Sequence, residues 1–133
     1  MSWGRKPCNA ETMTVHCLIV DDSQRFADAA RRLLERQGVT VVGVASTGAE
    51  ALEQATGMRP DVTLVDINLG DESGFDVARE LCRQGDVAPS SLILISAQAE
   101  SDYDDLIAAS PAVGFLSKTA LSADAIRDLL ERR

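Results

Sequence analysis

The sequence predicts an α/β fold: a doubly wound, five-stranded parallel sheet with helices on both faces. Three observations lead there. Five short apolar runs alternate with five segments of helical period along the 133 residues, and a βα repeat of this kind calls for a parallel sheet. The runs are rich in Val, Leu and Ile and nearly unbroken, which suits strands covered on both faces. Four of the runs end in polar or charged residues, namely Asp21-Asp22, Asp66, Ser96 and Lys118. A parallel sheet carries such ends to one edge, where open α/β sheets bind their ligands.

The elements follow in order. Residues 1–14 show no periodicity and are expected to form a flexible N-terminal tail, leaving residues 15–133 as one domain. Val15 to Val20 is the first strand. Ser23 opens a helix whose apolar residues Phe26, Ala29, Ala30, Leu33 and Leu34 lie on one face. Gly38 is a left-handed stop. Val39 to Val44 is the second strand. Gly48, Ala51, Leu52 and Ala55 form the small-residue face of a second helix that packs close to the sheet. Asp61 to Asp66 is the central strand, and it runs into a polar loop bounded by glycines. A third helix spans about 74–83, with Ala78, Leu81 and Cys82 inward. Residues 91–96 form the fourth strand. Tyr103, Leu106 and Ile107 mark a shorter, more polar fourth helix that ends before Pro111. Residues 113–118 form the fifth strand, and Ser122 caps a last helix with Ile126, Leu129 and Leu130 toward the core.

Composition narrows the function. The formal net charge is -8, which argues against direct nucleic-acid binding, since phosphate contacts need clustered Lys and Arg. The three cysteines, Cys8, Cys17 and Cys82, follow no metal-ligand spacing. Their odd number without a framework points to a reducing compartment, and Cys17 and Cys82 read as small core residues. With no signal-peptide core and no run of membrane-spanning length, the expectation is a cytoplasmic protein without membrane contact. His16, the single histidine, lies in the first strand and is expected to pack rather than to catalyse.

The strand ends carry the chemistry. Asp21, Asp22 and Asp66 at one sheet edge repel one another and raise one another's pKa values. A hard divalent cation such as Mg²⁺ relieves this with carboxylate, carbonyl and water oxygens. Lys118 adds a positive point charge for an anionic group, and Ser96 adds a hydroxyl. These parts together stabilise a transferring phosphoryl group, and a carboxylate can itself be the nucleophile that forms an acyl phosphate. Any one of these residues is equally well a helix cap or a surface lysine. All of them on one edge are not.

From about Val15 to Arg133 the chain resembles a response-regulator receiver domain of two-component signalling, in single-domain form. The acidic pair Asp21-Asp22, Asp66 followed by Leu69 and Ser73-Gly74, Ser96-Ala97, Lys118, and Phe115 three residues before it carry the resemblance. It implies the flavodoxin-like strand order 2-1-3-4-5. It implies Asp66 as phosphoacceptor, with Asp22, Asp66 and the backbone carbonyl of Asn68 binding Mg²⁺ directly and Asp21 acting largely through water. Lys118, Ser96 and the Ala97 amide would meet the phosphoryl oxygens. Ser96 and Phe115 would form the switch, while Asn68 and Gln98 would tune phosphate decay. The donor would be a sensor histidine kinase or a histidine phosphotransfer protein, and an output protein would read the surface of the fourth helix, fifth strand and fifth helix. The chain would catalyse only its own phosphorylation and dephosphorylation.

Two positions depart from the family. Gly70 stands where proline is usual, which should loosen the loop after Asp66. Thr119 follows Lys118 where the family has proline and a cis bond. The reach required of Lys118 leads us to expect a cis Lys118-Thr119 bond despite its cost of about 2.5–4 kcal/mol. Other classes fit less well. The first turn, Asp-Asp-Ser-Gln, lacks the glycines of a dinucleotide or flavin phosphate loop. A haloacid-dehalogenase-type phosphatase would place its nucleophile after the first strand and need a longer chain. A histidine phosphotransfer protein would be helical with an exposed histidine. Two alternatives stay open: the receiver portion of a longer DNA-binding transcription regulator, and an interaction module that works without phosphorylation.

Overall fold

The computed structural model describes residues 15–84 and 87–131; the expected tail over residues 1–14, including Cys8, lies outside them. Five strands form the sheet: β1 (Val15–Val20), β2 (Val39–Ala45), β3 (Val62–Asp66), β4 (Leu92–Ser96) and β5 (Gly114–Ser117). They pair in parallel in the order β2-β1-β3-β4-β5, the order the resemblance implied. The helices are α1 (Gln24–Arg36), α2 (Gly48–Met58), α3 (Gly74–Gln84), α4 (Asp104–Ala109) and α5 (Ala123–Glu131).

Strand alternation divides the core into two layers. Cys17, Ile19, Val62, Leu64, Ile93 and Ile95 pack with Ala27, Ala30 and Leu34 of α1 and with Ile126 and Leu129 of α5. Leu18, Val20, Val65, Leu92 and Leu94 point the other way, against Ala51 and Ala55 of α2 and Phe75, Val77, Ala78 and Leu81 of α3. Successive side chains of a strand alternate between faces. A sheet with helices on both sides therefore needs apolar residues at every position, which is why the strands read as continuous runs. Three of the helix starts are capped by side chains. Ser23 Oγ accepts the Phe26 N–H at 3.3 Å, Thr47 Oγ1 accepts the Glu50 N–H at 3.1 Å, and Ser122 Oγ accepts the Ala125 N–H at 3.0 Å. Gly38 follows α1 at φ 93°, the left-handed stop that the sequence indicated.

Three local expectations are corrected. The loop after Asp66 is not loose. Residues Asn68–Leu69 and Glu72–Ser73 pair antiparallel as a small hairpin, with Gly70 at φ 61° in its turn. Proline cannot adopt that φ, and a glycine at the first turn position suits a type II′ hairpin turn. The Lys118-Thr119 bond is trans, since no described peptide bond is cis. Strand β5 stops at Ser117, and Lys118–Ala120 form a 3₁₀ turn capped by Ser117, whose Oγ accepts the Thr119 N–H at 3.3 Å. That turn redirects the lysine without the penalty of a non-proline cis bond. Leu106 is 53% exposed and no residue of α4 is buried, so the short helix only skims the core. His16 is exposed near the start of its strand, with Nδ1 3.4 Å from Asp61 Oδ2. Cys17 is fully buried and Cys82 half-buried, both free thiols; burial pushes the Cys17 thiol up to about 12. Among the described residues no helix is long and apolar enough to cross a membrane.

Candidate functional site

Parallel pairing places the ends of β1, β3, β4 and β5 along one edge of the sheet, and the expected residues meet there. Asp21 leaves β1 directly and is buried. Its Oδ1 accepts the Ser23 N–H at 2.8 Å, so the carboxylate also sets the turn into α1. Its Oδ2 lies 2.7 Å from Lys118 Nζ as an ion pair, but it is buried and has no partner in hydrogen-bond geometry among the described residues. Asp22 is exposed beside it, with the turn of the hairpin overhead: a Cβ on Gly70 would stand 3.2 Å from Asp22 Oδ2. Asp66 ends β3 and is only 5% exposed. Its Oδ1 accepts the Asn68 N–H at 3.0 Å, and its Oδ2 accepts from Lys118 Nζ at 3.2 Å.

Charge and burial oppose one another here. Burial pushes the Asp66 carboxyl above its ordinary value; the Asn68 N–H pulls it back, Asp21 raises it again, and Lys118 lowers it. The net direction is upward. Burial also works against the Lys118 charge, but the adjoining Asp21 and Asp66 carboxylates outweigh it and hold the ammonium above its usual range. The ammonium also sits 4.3 Å from the centre of the Phe26 ring, within cation–π distance. Periodicity placed Phe26 on the packing face of α1 and contained no signal for this contact.

The donor set fits a hard divalent cation. Ligand atoms of Asp21, Asp22 and Asp66 lie within 4.8 Å of one another. Two oxygens on opposite sides of Mg²⁺ are about 4.2 Å apart, twice its oxygen distance, so a small contraction or one bridging water completes the fit. The buried Asp21 oxygen without a hydrogen bond is the kind of group that a nearby cation or water satisfies.

The remaining expected residues take up positions around this centre. Ser96 ends β4, buried, and its Oγ accepts the Gln98 N–H at 3.0 Å. Ala97 and Gln98 are exposed. Tyr103, which the sequence marked only as part of a helix, donates its hydroxyl hydrogen to Gln98 Oε1. Phe115 is half-buried in β5 and packs against the cluster that Tyr103 and Ile107 also join. Gly74 permits the closest approach: a Cβ there would stand 2.0 Å from the Asp66 carbonyl oxygen, and its N–H donates to the Ile67 carbonyl at 2.8 Å. The hairpin is tied at its far side by Glu72, whose Oε1 accepts the Gly48 N–H of α2 at 2.8 Å.

Comparison with known proteins places this arrangement. The response regulator receiver domain family matches residues 17–131. The chain is 33% identical over 117 residues to the transcriptional regulatory protein YvfU of Bacillus subtilis, covering 85% of this chain and 58% of that protein. It is 34% identical over 87 residues to a protein-glutamate methylesterase/protein-glutamine glutaminase of Halobacterium salinarum, covering 65% of this chain and 24% of that one. The chain thus spans less than two thirds of the length of these relatives. Among solved structures, the signal receiver domain of a NarL response regulator from Mycobacterium tuberculosis superposes with a TM-score of 0.76 at 31% identity, covering 90% of this chain and 98% of that one. The signal receiver domain of a modulated diguanylate cyclase from Desulfovibrio desulfuricans gives 0.73 at 30% identity, covering 90% and 92%. The shared sheet order, the match over residues 17–131 and these likenesses agree: the chain belongs to the response regulator receiver domain family of two-component signalling.

Proposed function

We propose that the chain is a switch that accepts a phosphoryl group on Asp66 from a sensor histidine kinase or a histidine phosphotransfer protein. The observation that carries this reading is the buried Asp66 carboxylate with Lys118 Nζ at 3.2 Å and two further carboxylates beside it. In the transfer, Asp66 Oδ forms a bond to phosphorus as the bond from phosphorus to the donor atom breaks, and that bond's electron pair leaves with the donor. The Lys118 ammonium, already held at the carboxylate, neutralises charge on the arriving oxygens. The Ser96 hydroxyl and the Ala97 N–H are the other donors within this strand end. Mg²⁺ would be held by Asp22, Asp66 and the Asn68 carbonyl, with Asp21 acting through water. When bound, it supplies positive charge that offsets the carboxylates and the phosphoryl oxygens. Asp21 Oδ1 already accepts the Ser23 N–H, and its Oδ2, ion-paired with Lys118 but without a hydrogen bond among the described residues, is left for a metal-bound water, which favours the indirect role for Asp21.

The output side of the reading is a movement of Ser96 toward the phosphoryl group and of Phe115 inward behind it. The α4-β5-α5 surface would then change and be read by a partner protein in the cytoplasm. Residues 15–133 form the receiver in this reading. The test is incubation with acetyl phosphate and Mg²⁺ followed by intact mass. We expect the mass of one phosphoryl group on the wild type and none on Asp66→Asn, whose amide cannot form the acyl phosphate. A comparable phosphate mass on that variant would remove Asp66 from the role. A second reading has one observation in its favour. Since the chain spans 58% of a transcriptional regulatory relative, it also suits the receiver portion of a longer DNA-binding regulator. Phosphorylation-dependent DNA binding by the full reading frame would decide for it.

A further inference from the structure

We propose that Tyr103 is a positioning residue for loss of the phosphoryl group, acting through the side-chain amide of Gln98. The proposal rests on the reading of Asp66 as phosphoacceptor and of Gln98 as a group that governs water reaching it. The Gln98 side chain is exposed, and an exposed glutamine ordinarily samples many rotamers. Here its Oε1 accepts the Tyr103 hydroxyl hydrogen. That contact fixes which way the amide faces, with oxygen toward Tyr103 and the two N–H donors away from it.

Tyr103 is itself anchored. Its ring is half-buried and lies 6.3 Å from the Phe75 ring, tilted at 45°. Phe75 follows Gly74, which is bonded to the Ile67 carbonyl immediately after Asp66. At the other end, the Gln98 N–H donates to Ser96 Oγ. Tyr103 therefore bridges the chain that leaves Asp66 and the chain that leaves Ser96. A residue holding both sides can set where Gln98 stands over the acyl phosphate. In hydrolysis a water oxygen bonds to phosphorus while the bond from phosphorus to Asp66 Oδ breaks. The electron pair returns to the carboxylate, inorganic phosphate departs, and the water proton passes to solvent. An uncharged amide removes no proton in this step; it orients or blocks the water, so its placement matters more than its acidity.

The experiment follows decay on the full chain. The protein is phosphorylated with acetyl phosphate and Mg²⁺, the donor is removed, and loss of phosphate is read by intact mass. The variants are Gln98→Ala, Gln98→Glu, Tyr103→Phe and the two double variants. Tyr103→Phe keeps the ring on Phe75 and removes only the hydroxyl, so its unfolding temperature should match the wild type. We expect Gln98→Ala and Tyr103→Phe each to change the decay rate in the same direction by about threefold or more, and Tyr103→Phe to add nothing in the Gln98→Ala background. In the Gln98→Glu background, where a carboxylate again accepts from the hydroxyl, Tyr103→Phe should once more alter decay. Wild-type decay in Tyr103→Phe, or independent effects in the Gln98→Ala double variant, would overturn the tether while leaving the phosphoacceptor reading standing. Wild-type decay in Gln98→Ala would overturn the role of Gln98 itself. No phosphate on the wild type would overturn the Asp66 reading, and the proposal with it.

Discussion

Asp66 and Lys118 show how one buried pair can be costly and useful together. Burial raises the Asp66 carboxyl above its ordinary value despite the nearby ammonium. The folded chain therefore holds that proton more tightly than the unfolded chain does. The stability that this group contributes is full below the unfolded value of about 3.9 and is lost as pH rises through the folded value. Asp66→Asn should remove that loss. The variant should be more stable than the wild type at pH 7 by about 1 kcal/mol, and the gain should shrink toward pH 4. Thermal unfolding at the two pH values checks this; a gain that grows on acidification would show the opposite sign. Neighbouring residues divide differently between chemistry and packing. Asp22 is exposed, so its charge adds little strain to the folded chain, whereas Asp21 is buried and bonded to the turn that starts α1. Phe26 belongs to both groups, packing from α1 against the core and lying under the Lys118 ammonium.

At the scale of elements, two short connections decide the geometry. The hairpin after β3 depends on Gly70 at φ 61°. Gly70→Pro would bring in the residue usual in the family, yet the ring fixes φ near -65° and is incompatible with this turn. We expect a loss of about 1–3 kcal/mol, read as a lower unfolding temperature, with a looser attachment of Glu72 to α2. The 3₁₀ turn after β5 is the second connection. Thr119→Pro would remove the N–H that Ser117 accepts and would disfavour the helical conformation of Lys118 before it. The variant should be destabilised by about 1 kcal/mol, the scale of a lost cap, and not stabilised as a cis bond would have required. Unchanged or raised stability would contradict the turn as described. Neither connection was legible beforehand. Gly70 and Thr119 were visible as departures from the family, but what replaces a proline depends on where the chain must go next, and distant strands decide that.

At the scale of the whole molecule, the sheet gathers like charges that the sequence keeps far apart. Asp21, Asp22 and Asp66 converge within 4.8 Å on a chain of net charge -8. A cation bound only by the folded state should stabilise it by mass action. Mg²⁺ at about one hundred times its Kd should add about 2.7 kcal/mol. Asp22→Ala should lower Mg²⁺ affinity about tenfold or more and remove most of that gain, while leaving the metal-free protein close to wild-type stability because Asp22 is exposed. Unfolding scans with and without Mg²⁺ on both proteins read all three quantities. An equal Mg²⁺ shift in the variant would take Asp22 out of the ligand set.

The sequence by itself determined the five strands, the helices between them and the edge on which Asp21, Asp66, Ser96 and Lys118 gather. Those features rest on local periods: an apolar run for a strand buried on both faces, a repeat of 3.6 for a helix, a polar residue where the chain leaves the core. Tertiary structure alone decided the rest. The trans bond at Lys118, the hairpin closed at Gly70, the ring of Phe26 under the ammonium and the Tyr103 hydroxyl on Gln98 each depend on the direction in which a side chain or a turn points once several elements have packed. Local pattern specifies which face of an element is buried. It does not specify which atoms meet across two elements, because that depends on strand order, register and the angle at which each helix settles on the sheet.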